Sequence, residues 1–280
     1  MLDDRLLLEN GVEIPVIGLG TWQIPNDITA RVVKDALEVG YRHIDTAALY
    51  RNEEGVGEGI LESGISRRDI FVTSKIHSSC KSYEGAVEAI EESLRKLNTD
   101  YIDLMLIHAP RPFNEMGEPS EKNYNKENIE VWRAMSEAYR DGKLRAIGVS
   151  NFSSEDMDNI IQNSDIKPMV NQILVNITRY PKKLIEACNE RGILVESYSP
   201  NATGKLKGEE IKEMADKYGY TIPQLGNRFD YQLGTVVLPK TTHKEYMIEN
   251  LNIDIEISKE DMEVLKAMGE YEGWKGSNSD

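Results

Sequence analysis

Short apolar segments rich in strand-forming residues alternate with amphipathic helical patterns along most of this 280-residue chain. Eight of these segments have the length of strands: Val16 to Leu19, His43 to Thr46, Ile70 to Lys75, Ile102 to His108, Arg145 to Ser150, Met169 to Ile173, Leu194 to Ser199 and Val236 to Leu238. Amphipathic stretches such as Ala30 to Val39 and Gly85 to Leu97 lie between them. Because continuous apolar strands joined through helices pair in parallel, this alternation predicts an α/β protein.

The number of repeats favours a closed barrel. Eight strand–helix units over roughly 250 residues match the usual size of a (β/α)8 TIM barrel, and a doubly wound open sheet is the alternative. Outside the repeat we expect an N-terminal hairpin around Asn10-Gly11, an extra C-terminal helix over Lys259 to Met268, and a polar tail that contains Trp274. The polar stretch Arg111 to Glu127 is typical of a lid loop. We expect one barrel domain over residues 1–280.

The composition limits the partners of the chain. It has 48 acidic and 33 basic residues, and a net charge of -15 disfavours nucleic acid and anionic membranes as partners. The two cysteines, Cys80 and Cys188, are too few for a disulfide framework and lie too far apart for a metal site, so we expect no metal and a reducing cytoplasm. No segment has the length of a membrane span. We expect a cytoplasmic monomer.

Three predicted strands end in an ionisable residue. Asp45 lies near the end of the second strand, Lys75 closes the third and His108 closes the fourth, while Tyr50 follows Asp45 by five positions. All strand C-termini of a parallel barrel open on one face, so these four side chains can converge.

Their chemistry suits proton transfer to a carbonyl oxygen. An ammonium about 4 Å from a phenol stabilises the phenolate by about 4 kcal/mol at an effective dielectric of about 20, which predicts a lowered pKa for Tyr50. Asp45 would hold Lys75, and His108 would orient the substrate oxygen. A tyrosine or histidine at a strand end more often serves packing, and Asp45 with Lys75 could be an ordinary ion pair. The spacing alone leaves both interpretations open.

Eight motifs, in order, extend over nearly the whole chain: Gly18 to Gln23, Gly40 to Gly59, Phe71 to Lys75, Leu106 to His108, Gly142 to Phe152, Asn171-Gln172, Tyr198 to Pro200 and Leu238 to Lys240. In these residues the chain resembles the aldo-keto reductase family. The resemblance implies a (β/α)8 barrel that reduces aldehydes and ketones with NADPH. No Rossmann fingerprint is present, because Gly55, Gly57 and Gly59 lie inside a helical pattern and are interpreted as structural.

The resemblance also implies roles for individual residues. The catalytic tetrad would be Asp45, Tyr50, Lys75 and His108, with Tyr50 as the general acid. The cofactor would contact Gly20, Thr21, Trp22, Ser150, Asn151, Gln172, Tyr198, Ser199, Lys240, Thr241, Thr242, Glu249 and Asn250. Ser150, Asn151 and Gln172 would hold the nicotinamide carboxamide, and Tyr198 would stack on the ring. The alternative for Ser150 and Asn151 is a helix N-cap.

Departures from the family pattern concern the cofactor and the substrate. The family usually has arginine six positions after Lys240, where Tyr246 stands, so NADH remains possible beside NADPH, although His243 or Lys244 can compensate. A substrate pocket of Trp22, His77 and Ala109 lacks two aromatic rings that the family commonly has. This predicts bulkier or more polar carbonyl substrates.

The function that follows is reduction of a small-molecule aldehyde or ketone. A nicotinamide-binding sensor or regulatory barrel with little turnover is the alternative, because some relatives keep the tetrad in that role. A barrel hydrolase that uses His108 and Asp45 is poorly supported, since no serine, cysteine or metal cluster is placed to act with them.

Overall fold

The computed structural model describes residues 4–116 and 122–271, so the tail with Trp274 lies outside the described residues. The predicted hairpin is present at the start. Strands β1 (Arg5–Leu7) and β2 (Glu13–Pro15) pair antiparallel, with Leu6 opposite Ile14. Leu8 and Ile14 pack against the first residues of the barrel strands, including Phe71 and Leu104. The hairpin therefore covers the amino-terminal end of the barrel.

The eight remaining strands form one parallel sheet. They are β3 (Leu19–Gly20), β4 (His43–Asp45), β5 (Phe71–Ile76), β6 (Leu104–Ile107), β7 (Ile147–Ser150), β8 (Val170–Leu174), β9 (Leu194–Tyr198) and β10 (Val236–Leu238). The sheet closes between its ends, because Ile17 and Val237 form a parallel bridge in which Gly18 N donates to Val237 O at 2.9 Å. The (β/α)8 prediction is confirmed, and the open-sheet alternative is wrong.

Ten α-helices lie within the described ranges. They are α1 (Asn26–Val39), α2 (Glu53–Ser63), α3 (Tyr83–Leu97), α4 (Asn125–Arg140), α5 (Ser154–Asn163), α6 (Lys182–Glu190), α7 (Glu209–Lys217), α8 (Ile222–Gln232), α9 (Lys244–Leu251) and α10 (Lys259–Gly269). The predicted extra C-terminal helix corresponds to α10. None of these helices has both the length and the apolar character needed to cross a bilayer.

Helix α4 begins at Asn125, inside the stretch predicted as a lid loop. The buried side chains of Asn128, Val131 and Trp132 recur at helical spacing, so the partly exposed polar residues just before them can form the first turn of an amphipathic helix. A short 3-10 helix over Phe113–Glu115 occupies the first part of the same stretch. Residues 117–121 lie outside the described ranges, so the lid itself remains a prediction.

The three glycines of α2 bring it close to its neighbours. A Cβ atom at Gly55 would lie 2.8 Å from Asn26 O, one at Gly57 2.6 Å from Leu97 O, and one at Gly59 2.5 Å from Ala30 O. Real Cβ atoms do not approach backbone oxygens so closely, because dense packing leaves no room for them. The structural interpretation of these glycines is confirmed.

Candidate active site

A cavity of about 770 Å³ opens at the carboxyl ends of the barrel strands. Most of the residues predicted for catalysis and binding line it: Gly20, Trp22, Asp45, Tyr50, His77, His108, Ser150, Asn151, Gln172, Tyr198, Ser199 and Lys240. They come from strands and loops that are far apart in sequence. The closed parallel sheet brings them together, because every strand presents its carboxyl end to the same face.

Other predicted site residues do not line this cavity. Lys75 is fully buried, and Thr21 is also buried, where its hydroxyl donates to Asp45 O at 2.9 Å. Ala109, predicted in the substrate pocket, has no exposed surface, and its carbonyl accepts a hydrogen bond from Lys81 Nζ at 3.1 Å. Phe113 lines the cavity instead, with its ring centroid 4.9 Å from that of His108. An aromatic ring from the segment after β6 therefore lies beside His108 at the cavity.

Lys75 is the centre of the polar group at the base of the cavity. Its Nζ donates to both carboxylate oxygens of Asp45 at 2.7 Å, to Thr46 O at 2.9 Å and to the Tyr50 hydroxyl at 3.3 Å. Burial alone would lower the pKa of Lys75, but the charge of Asp45 and the phenol of Tyr50 raise it above its ordinary value. Lys75 is therefore an ammonium at neutral pH.

The predicted lowering of the Tyr50 pKa is wrong. Burial, which disfavours the phenolate, raises the pKa of Tyr50, and the opposing effect of Lys75 does not compensate. The sequence argument counted the ammonium alone, whereas Asp45 neutralises that charge at 2.7 Å and itself raises the pKa of Tyr50. Tyr50 therefore keeps its proton at neutral pH.

His108 is a neutral side chain beside Tyr50. Their ring centroids are 5.6 Å apart, and burial, followed by the charge of Lys75, holds the pKa of His108 well below 6.5. Its Nδ1 is buried with no hydrogen-bond partner among the described residues. A buried N–H without a partner costs more than an unused acceptor, so we assign the proton to Nε2. The imidazole can then donate a hydrogen bond.

The predicted carboxamide-binding residues are joined by hydrogen bonds. Ser150 Oγ donates to Gln172 O at 2.9 Å, and the Tyr198 hydroxyl donates to Asn151 Oδ1 at 2.9 Å. The N-cap alternative for Ser150 and Asn151 is wrong, because Ser153 caps α5 in a capping box with Asp156.

Several backbone positions around the cavity are strained. Gln23 (φ 61°), Asn151 (φ 61°) and Ser199 (φ 54°) are left-handed and line the cavity. Such conformations cost of order 1 to 3 kcal/mol and cluster at functional sites. The strain supports a binding function for this face of the barrel.

The segment after β10 contains the residues predicted for the adenosine end. Lys240 lines the cavity, and Thr241 is buried, with its hydroxyl oxygen accepting from His243 N at 3.1 Å. Thr242 and Glu249 are partly buried. Asn250 is buried, and its Oδ1 accepts from Asn227 Nδ2 at 2.9 Å.

The two side chains suggested as substitutes for the missing arginine have partners of their own. Lys244 Nζ pairs with Glu38 at 2.7 Å, and His243 Nδ1 lies 3.5 Å from Glu245. Tyr246 is 52% exposed and stacks edge to face on His243, with centroids 5.5 Å apart. This end of the site therefore offers an aromatic pair where the family pattern has a guanidinium.

Sequence reasoning missed Glu196, which is fully buried on β9. Its Oε2 accepts a hydrogen bond from Gln172 Nε2 at 2.9 Å. Burial, followed by the charge of Asp45, raises the pKa of Glu196 to about 8. The available signal was its spacing, because Glu196 precedes Tyr198 by two positions and a strand places such residues on the same face.

Comparison with known proteins agrees with this geometry. The Aldo/keto reductase family matches residues 16–270. A glyoxal reductase of Bacillus subtilis (strain 168) is 41% identical over 274 residues, which cover 97% of this chain and 95% of that protein. A glycerol 2-dehydrogenase (NADP(+)) of Saccharomyces cerevisiae is 36% identical, with 96% and 92% covered.

A solved structure extends the similarity to three dimensions. The Bombyx mori aldo-keto reductase in complex with NADP has a TM-score of 0.85 and 33% identity, covering 95% of this chain and 92% of that chain. This chain belongs to the aldo/keto reductase family.

Proposed function

We propose that Tyr50 is the general acid with which this NADPH-dependent carbonyl reductase converts an aldehyde or ketone into an alcohol. The observation that carries the assignment is the position of the Tyr50 hydroxyl. Tyr50 lines the cavity, and its hydroxyl lies 3.3 Å from Lys75 Nζ, which also donates to Asp45 at 2.7 Å. The raised pKa keeps the proton on Tyr50 until a carbonyl oxygen accepts it.

Each residue of the tetrad has a separate part in this proton transfer. Lys75 stabilises the phenolate that Tyr50 becomes, and Asp45 keeps Lys75 charged and in place. Neutral His108 donates a hydrogen bond that orients the substrate oxygen next to Tyr50. A bound reduced nicotinamide supplies the hydride. After release of the alcohol, Tyr50 recovers its proton from solvent.

The residues present fit a nicotinamide dinucleotide. The amide of Gln172, the hydroxyl of Ser150 and the ring of Tyr198 line the cavity, as a carboxamide and a stacked ring require. Gly20 also lines it, and a Cβ there would lie 3.3 Å from Leu238 O, a tight contact. In the first turn of α9, Tyr246 N donates to His243 O at 3.1 Å. No described group accepts from the amides of Lys244 and Glu245, which can therefore bind a phosphate.

The alternative of a sensor with little turnover is less favoured, because the relatives are named as reductases and dehydrogenases. The test is Tyr50→Phe. We expect it to lower kcat for carbonyl reduction by about 10²- to 10⁴-fold, the usual contribution of a general acid, and to leave NADPH binding intact. Loss of NADPH absorbance over a panel of carbonyls measures the rate, and fluorescence titration measures binding.

Tyr139→Phe is the matched control, because Tyr139 is partly buried and its hydroxyl accepts from Asn10, at the amino-terminal side of the barrel. It should leave kcat unchanged. Wild-type protein that binds NADPH but turns over none of a broad panel would instead support the sensor.

For the cofactor we propose NADPH, gripped at its 2′-phosphate by Lys240 and Thr241, with NADH also accepted because Tyr246 carries no charge. Tyr246→Arg restores a bidentate phosphate donor and should raise the NADPH over NADH preference about tenfold. Parallel titration of both cofactors measures this preference. An unchanged ratio in Tyr246→Arg would show that position 246 does not contact the phosphate, and Tyr246→Leu controls for loss of the ring.

For the substrate we propose a polar carbonyl compound. His77, Ser78, Ser79, Asn114 and Asn201 line the cavity, and His77 Nδ1 lies 2.6 Å from Ser79 Oγ. The expectation of a bulkier substrate stays a prediction, and Phe113 is an aromatic ring on the cavity wall. His77→Trp should lower kcat/KM for hydroxylated carbonyls relative to benzaldehyde. If wild type prefers benzaldehyde and His77→Trp leaves the profile unchanged, the polar-substrate proposal fails.

We also propose that the chain is a single-domain cytoplasmic monomer without nucleic-acid partners. The net charge of -15 supports the last point, since such a surface repels phosphate backbones. Light scattering of the purified chain measures the oligomeric state.

A further inference from the structure

Glu196 and Gln172 are direct neighbours inside the barrel. They face each other in the register of β8 and β9, and both side chains are almost completely buried. Glu196 is 0% exposed, and no described group other than Gln172 hydrogen-bonds to its carboxyl oxygens. Burial of a carboxyl group costs free energy, so we looked for a role of Glu196 at this position.

The two hydrogens of the Gln172 amide point at two carboxyl groups. Nε2 donates to Asp45 Oδ2 at 2.7 Å and to Glu196 Oε2 at 2.9 Å. An amide nitrogen has two donors, and both are used here. The reversed amide would place its carbonyl oxygen 2.7 Å from the Asp45 carboxylate, which pairs with Lys75 and can only accept, so this neighbour settles the orientation.

This orientation leaves Gln172 Oε1 as the atom available to a ligand. No described group donates to Oε1, and Gln172 lines the cavity. With Asp45 alone the amide would be held at one point and could pivot about that bond. Glu196 adds the second point, which fixes the direction of the carbonyl oxygen.

We propose that Glu196 is a positioning residue, which acts through Gln172 to direct an acceptor oxygen at the amino group of the nicotinamide carboxamide. The proposal rests on the proposed function, since it takes a nicotinamide cofactor as the ligand. Glu196 itself touches neither cofactor nor substrate. Its role is to give the site a preference for a carboxamide over groups that lack the N–H donor.

The groups around Glu196 leave it free for this role. His43 Nε2 lies 3.8 Å from Glu196 Oε1, too far for a hydrogen bond, and it is 2.9 Å from Thr73 Oγ1. Lys75 is committed to Asp45 and Tyr50. Either protonation state of Glu196 retains an oxygen that accepts from Gln172.

The test compares NADP⁺ with its 3-acetylpyridine analogue, in which a methyl ketone replaces the carboxamide and removes the N–H donor. Calorimetry gives the Kd of each. In wild type we expect the analogue to bind about tenfold more weakly, the value of one good hydrogen bond. Glu196→Leu should reduce this ratio to about threefold or less, mainly by weakening NADP⁺, because Gln172 then pivots on Asp45.

The conservative variant and a matched control separate positioning from damage to the core. Glu196→Gln retains an acceptor oxygen and should keep the wild-type ratio. Glu53→Leu removes another buried carboxylate, which accepts from Ser74 Oγ at 2.7 Å and has no contact with Gln172, and it should also keep the ratio. Glu196→Met replaces Glu196→Leu if the branched side chain prevents folding.

The outcomes distinguish this inference from the proposed function. An unchanged ratio in Glu196→Leu or Glu196→Met, or equal binding of both ligands by wild type, overturns the role of Glu196. If wild type binds neither ligand, the cofactor assignment itself fails.

Discussion

At the residue scale, the site depends on one buried cation. Lys75 has no exposed surface, and its ammonium donates to Asp45, to Thr46 O and to Tyr50, so its three hydrogens are used. Removal of one partner of such a pair leaves an uncompensated buried charge, which costs far more than the pair itself contributes. The position of the Tyr50 hydroxyl and the stability of the barrel interior are thus coupled at this residue.

Lys75→Met should lower the free energy of unfolding by about 3 to 5 kcal/mol, because the Asp45 carboxylate loses its counter-charge. The double variant Lys75→Met, Asp45→Asn should lose clearly less than the sum of the two single variants. Urea unfolding at neutral pH measures all three. Lys143→Met, at the exposed pair with Glu91, is the control and should cost less than about 1 kcal/mol. Additive single effects would contradict the coupling.

At the element scale, α2 packs closely against its neighbours because glycines stand at the contact points. Gly59 allows α2 to contact α1, and Gly57 allows it to contact the end of α3. The chain from Asp45 enters α2 through Tyr50, so the packing of this helix fixes the far end of the loop that carries Tyr50. Sequence reasoning identified these glycines as structural, because they fell inside a helical pattern. It could not say which helices they contact.

Gly59→Ala should lower the free energy of unfolding by about 1 to 3 kcal/mol through overpacking, although alanine favours a helix by about 1 kcal/mol over glycine. The reason is that the new Cβ would lie 2.5 Å from Ala30 O, a backbone atom that cannot move aside. Urea unfolding measures the loss. Glu58→Ala, an exposed neighbour on the same helix, is the control. A Gly59→Ala protein as stable as wild type would contradict the close approach.

At the scale of the whole molecule, closure of the barrel brings four buried polar side chains into contact. They run from Lys75 through Asp45 and Gln172 to Glu196. Asp45 and Gln172 are 127 positions apart, yet Gln172 Nε2 lies 2.7 Å from Asp45 Oδ2. Both side chains are buried in the barrel interior, so water does not stabilise the charge of the carboxylate there. The raised pKa of Glu196 is a consequence, since burial and the nearby carboxylate both favour its neutral form.

This shift makes stability depend on pH. The pKa of Glu196 is raised from 4.5 to about 8, so between these values the folded protein holds a proton that the unfolded chain has released. Its contribution to stability is complete below about pH 4.5 and is lost as the pH rises toward 8. His43, whose pKa falls from 6.5 to about 3 on folding, adds a pH dependence of the opposite sign below about pH 6.5, and comparing a Glu196 variant with wild type cancels it.

Glu196→Gln removes the titration, so the stability of the variant relative to wild type should rise with pH across this window, by at most about 1.4 kcal/mol per pH unit. Unfolding midpoints at about pH 5 and pH 8 measure the difference. Glu58→Gln, at an exposed position, should show no such trend. Parallel pH profiles for Glu196→Gln and wild type would mean that the acid is ionised throughout.

The sequence by itself predicted the barrel and the convergence of Asp45, Tyr50, Lys75 and His108 on one face of it. Both follow from local properties: the alternation of apolar strands with amphipathic helices, and ionisable residues placed at strand ends that a parallel barrel gathers on one face. The hairpin and the extra C-terminal helix were predicted for the same reason. The resemblance to a family then identified the remaining residues of the cavity, including Ser150, Gln172 and Tyr198.

The tertiary structure alone decided how these residues act on one another. The net pKa of Tyr50 depends on burial and on the neutralisation of Lys75 by Asp45, which a sequence does not contain. The contact of Phe113 with His108, the burial of Ala109 and the double attachment of Gln172 depend on distances between segments far apart in the chain. Electrostatic interactions fall with distance and strengthen with burial, and both quantities exist only once the barrel has closed.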